Sequence, residues 1–77
     1  MESEMNCMHT IRARVLRADR CSLLVCDLDT DQQVLVHYSR ACCFSAGDCV
    51  CIEYSGMMTR SIPPQITATN IYCMHHH

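Results

Sequence analysis

The sequence predicts one small all-β domain, a five-stranded barrel, and three observations carry that prediction. Five short runs rich in β-branched and apolar residues recur along the chain, each alternating with period two or apolar through its middle. Turn-forming residues separate them: Asp19-Arg20, Asp29-Thr30-Asp31, Gly47-Asp48, and Gly56 with Pro63-Pro64. The 77 residues suffice for one domain and are too few for two.

The first run, 10–18, sets Ile11, Ala13 and Val15 on one side and Arg12 and Arg14 on the other, as a half-buried strand requires. After Asp19-Arg20 the second run, 21–28, is apolar on both sides through Leu23, Leu24 and Val25, and the two read as a hairpin. The aspartates at 29 and 31 bond nearby backbone amides in a turn, and 33–38 follows as a third strand. Residues 39–48 lack a strand pattern. They suit one helical turn that plugs the barrel bottom with Phe44 and closes at Gly47. In the fourth run, 49–55, Val50, Ile52 and Tyr54 face inward and alternate with Cys49, Cys51 and Glu53. A long loop from Gly56 to Gln65, stiffened by its prolines, leads to the fifth strand, 66–73. The barrel therefore spans 10–73, with flexible segments expected at 1–9 and 74–77.

Five strands with an irregular connection between the third and fourth follow the order of an OB-fold, with an SH3-like barrel as the competitor. Closure suits a small all-β chain because it removes strand edges that template aggregation. The spaced residues Gly47-Asp48, Val50, Ile52, Tyr54, Gly56, then Ser61, Pro63, Gln65-Ile66, Ala68 and Ile71 resemble a group of small bacterial OB-fold-like domains of unknown function. The resemblance implies the fold, and it implies no activity, cofactor or substrate.

Eight cysteines in so short a chain suggest disulfides in a secreted protein. The acidic start Met1-Glu2-Ser3-Glu4 differs from a signal peptide, and no apolar run approaches the roughly 18 residues of a membrane span. The expectation is a cytoplasmic protein with free thiols, reversed if an export leader has been removed. Cys42, Cys43, Cys49 and Cys51, with Cys7, Cys73 and His75-His76-His77 in reserve, offer enough ligands for zinc. Their spacing is poor: Cys-x-Cys on a strand holds two sulfurs on one face about 7 Å apart, and adjacent cysteines diverge. The thiols are read instead as small apolar packing groups, and no metal or cofactor is expected. His9 and His37 are read as structural.

No nucleophile elbow, phosphate loop, zinc-protease helix or dinucleotide fingerprint is present, so the expectation is a binding module rather than an enzyme. Net charge is −2, which draws no polyanion from a distance. Arg12, Arg14, Arg17, Arg20 and Arg60 nevertheless lie where such barrels take oligonucleotides, and Tyr38 is the one plausible stacking ring. Three tyrosines and one phenylalanine make a thin stacking platform, and acidic Asp27, Asp29 and Asp31 adjoin it, so nucleic acid ranks below a protein or peptide partner. That partner would meet Met57 and Met58 in the long loop, whose flexible thioethers adapt to apolar surfaces. The competing reading folds Met57 or Ile62 back to cap the barrel. A homodimer sealed by this loop or by an edge strand would serve a domain with so little core.

Overall fold

The computed structural model describes residues 9–74. Five strands run in chain order: β1 (His9–Ala18), β2 (Ser22–Asp27), β3 (Gln33–His37), β4 (Cys49–Tyr54) and β5 (Gln65–Cys73), with one 3-10 turn, Ala41–Cys43, between β3 and β4. They close into a barrel of order β1-β2-β3-β5-β4. All pairs are antiparallel except β3 with β5, which run parallel from Leu35–Gln65 to His37–Thr67. This is the all-β, OB-fold-like barrel that the strand pattern predicts. Each strand ends within two residues of its expected limits.

β1 is the hinge of closure. Its first half pairs with β4 from His9–Tyr54 to Arg14–Cys49, and its second half pairs with β2 from Ala13–Asp27 to Ala18–Leu23. A strand can serve two neighbours in this way only by coiling, and the register slips between Val15 and Arg17, where a bulge bends the chain. The slip explains why Arg17, which unbroken alternation from Ala13 and Val15 would turn inward, is exposed while Ala18 packs against the core.

The interior is filled by alternate residues of the first four strands, Ala13 and Val15, Leu23 and Val25, Val34 and Val36, Val50 and Ile52, and by Ile66 and Ile71 on either side of a register shift in the β4–β5 pairing. β-branched side chains dominate because they pack closely on a strongly curved pleated surface. Ala41 of the 3-10 turn is buried, and Phe44 packs against the core from the end of that turn, as expected of a plug. Gly47 adopts φ +95°, where a side chain would be strained, and its N–H donates to Val15 O at 2.7 Å. That bond brings the β3–β4 connection under the β1 bulge. In the β2–β3 turn, buried Asp27 accepts the N–H of Asp29 at 2.8 Å, and its carbonyl accepts the N–H of Asp31 at 2.8 Å.

The cysteine reading needs correction. Cys21, Cys42, Cys43 and Cys73 are exposed, Cys26 and Cys49 are half-buried, and among the described residues only Cys51 is buried. Most of these thiols therefore lie outside the core. The reason is position: the aliphatic residues take the inward places, leaving cysteines in turns, on the outer face or, for Cys73, at the end of β5. Cys51 also faces outward, as the alternation requires, yet it is only 9% exposed because neighbouring groups on β1 and β5 cover it.

Candidate binding surface

From Thr59 to Gln65 the β4–β5 loop is pinned by hydrogen bonds. Thr59 N–H donates to Gln65 O at 2.9 Å, and Gln65 N–H donates to Thr59 Oγ1 at 2.9 Å. Ser61 Oγ donates to Pro63 O at 2.9 Å, and the Thr59 and Ser61 hydroxyls bond each other at 2.7 Å. Leu35 N–H donates to Pro64 O at 2.9 Å, which ties the far foot of the loop to β3. Pro64 is buried and Met58 packs against the core. Met58 is half-buried, packing against the core on one side and lining a cleft on the other. Met57 is 89% exposed and Ile62 98% exposed, so neither folds back to cap the barrel.

Between this loop and the start of β3 lies a cleft of about 460 Å³, lined by Gln32 and Gln33 on one side and by Met58, Arg60, Ile62 and Pro63 among others on the loop. On the outer face of β2 and β3 the strand register sets residues in rows. Register places Arg17 beside Leu24, Leu24 beside Leu35, and Leu35 beside Gln65 in one row across four strands. The next row holds Arg14, Cys26 and Gln33. A third holds Ser22, His37 and Thr67, with His37 Nε2 bonded to Gln65 Oε1 at 2.8 Å. Leu24 and Leu35 are half-buried on this outer face. Sequence reading passed over them, although the two-sided apolar middle of β2 and the Val34-Leu35-Val36 run in β3 were the signals that mark them.

The arginines do not gather into one patch. Arg12 reaches across to Asp29 at 3.4 Å, and Arg17 turns to Asp19 at 3.6 Å. Arg14 lies between Cys26 and Cys49, Arg20 belongs to the β1–β2 turn, and Arg60 lines the loop cleft. Tyr38, the expected stacking ring, lies apart from the arginines of β1. It is half-buried, packs on the core, and its ring meets Phe44 at 6.4 Å between centroids, tilted by 45°. The chain leaves β3 at His37 and Tyr38 N–H donates to Cys21 O, which swings the ring under the barrel end.

Two groups on the barrel exterior are electrostatically perturbed. Partial burial and the Asp31 carboxylate push the Cys26 thiol up, against the pull of Arg14. Tyr72 is pushed up to about 12, first by its hydrogen bond to Cys51 and then by the charge of that group and of Glu53, whose Oε2 accepts the phenol at 3.3 Å. Both shifts favour the neutral form of the group, so neither makes a nucleophile at neutral pH. Among the described residues no three His, Cys, Asp or Glu side chains are placed to hold a metal ion. Cys7 and His75-His76-His77 fall outside the described residues, as do most of the terminal segments expected to be flexible. Among the described residues no helix is long and apolar enough to cross a membrane. Comparison with protein-family models, curated proteins and solved structures finds no match.

Proposed function

We propose that this domain is a non-enzymatic binding module that takes a protein or peptide segment through the β4–β5 loop and the cleft beside it. The observation that carries the reading is Ile62, 98% exposed at the crest of a loop held by its own hydrogen bonds. An isolated exposed isoleucine is ordinary. One held on a pinned loop, with Met57 nearby and an apolar cleft at its foot, is a preorganised contact that loses little entropy on binding. Gln32, Gln33 and Arg60 at the cleft wall supply the polar groups that orient an extended chain.

The test is a titration of isotope-labelled protein with a pool of short peptides carrying apolar residues. Amide shifts confined to residues 57–65 and 32–33, abolished in Ile62→Asp, are the expected result. Peptides that move no loop amide, or that bind Ile62→Asp unchanged, overturn the reading. The second reading is an anionic ligand, single-stranded nucleic acid included. Arg14 and Arg17 flank Leu24 and Leu35 on the face where OB barrels take oligonucleotides, and this supports it. A labelled mixed-sequence strand bound at low salt and released steeply as salt rises would favour that reading over the first.

A further inference from the structure

β5 has one edge that the barrel does not use. β3 ends at His37 and reaches only Thr67 of β5, so among the described residues β5 is paired from Asn70 onward on its β4 side alone. The register shows which backbone groups are left over. Met74 N–H donates to Cys49 O at 2.9 Å, and hydrogen-bonded pairs alternate along an antiparallel ladder. Cys51–Tyr72 and Glu53–Asn70 are therefore bonded pairs, and the backbone N–H and C=O groups of Ile71 and Cys73 point away from β4. The opposite side of β4 agrees: Val15 N–H donates to Asp48 O at 2.8 Å, so the even-numbered residues of β4 serve β1 and the odd-numbered ones serve β5. Ile71 and Cys73 have no other backbone partner among the described residues.

We propose that this edge pairs with the same edge of a second copy, antiparallel, about a two-fold axis passing through Tyr72. In that register Ile71 faces Cys73 of the partner subunit and Cys73 faces the partner subunit's Ile71, each pair exchanging both N–H···O bonds. Tyr72, 45% exposed on the outer surface, meets its own symmetry mate in the close, non-bonded position between them. Composition selects a second copy over an unrelated strand. The nine residues of β5 contain no charge, proline or glycine. Two-fold pairing sets each residue against itself or a near neighbour, so any charge on the strand would face its like. Edge strands of monomers are usually guarded by lysine or proline, and this one is not. The contact is small, so the dimer is transient.

The inference is independent of the binding loop, and its test keeps the two apart. Sedimentation equilibrium of the whole chain under reducing conditions, up to roughly 1 mM, should show reversible monomer and dimer. Tyr72→Lys sets like charges across the axis and should weaken association by roughly tenfold or more. Ile62→Lys, in the loop, should leave it unchanged. Should Tyr72→Lys fold poorly, amide exchange of the unaltered protein decides: Ile71 and Cys73 should gain protection as concentration rises. A monomer throughout overturns the proposal. So does a dimer that is lost in Ile62→Lys, or one that leaves the exchange of Ile71 and Cys73 untouched.

Discussion

Cysteine shows how far residue type alone can mislead. A free thiol is among the most buried side chains on average, yet in this barrel valine and isoleucine hold the inward positions and only Cys51 is buried among the described cysteines. Cys51 gains its cover from outside, where Tyr72 stands opposite it on β5 and donates its hydroxyl to Glu53. The same contact sets a pH dependence. Tyr72 titrates near 12 in the folded chain and near 10 unfolded, so below pH 10 both states hold the proton and nothing changes. From about 10 to about 12 the unfolded state releases it first, and stability falls as pH rises through that window. Ultraviolet titration should show a late phenolate step that is missing in Tyr72→Phe, and that variant should lose stability less steeply above pH 10.

At the scale of the element, short segments are held by few bonds, and single changes should be felt. Gly47 lies at φ +95° with nothing within 4 Å of where a Cβ would stand, so Gly47→Ala meets no clash and carries only the left-handed backbone cost. The expected loss is about 1–2 kcal/mol in urea unfolding, with an unchanged slope. In the binding loop, Thr59 Oγ1 accepts from Gln65 N–H and bonds the Ser61 hydroxyl. Thr59→Ala should cost about 1 kcal/mol. It should also raise amide exchange across residues 59–65 while leaving the rest of the barrel protected. These elements were legible in sequence to different degrees. The strands were plain from alternation, and Gly47 was readable as a closing residue. The bulge between Val15 and Arg17 was not, because it answers a demand made by two other strands.

The whole molecule is a thin-walled barrel whose core comes from about two inward side chains per strand, so each carries a large share of stability. Leu23 is fully buried, and Leu23→Ala should cost about 2–5 kcal/mol. Small domains hold roughly 5 kcal/mol in all, so that variant should keep only about 0–3 kcal/mol and melt well below the parent chain by circular dichroism.

The candidate site was only half legible. Its loop was marked by Met57, Met58, Ile62 and Pro63-Pro64, but the share of Met58 that packs on the core and the turn of Tyr38 toward Phe44 were not. By itself the sequence determined the number of the strands and the inward faces of β1 and β4, because period-two burial is a local property of an extended chain. Tertiary structure alone decided which loop residues are held out, where the arginines turn, and which edge of β5 is left over. Those depend on barrel closure and on the β3–β5 overlap ending at Thr67, and no local pattern encodes either.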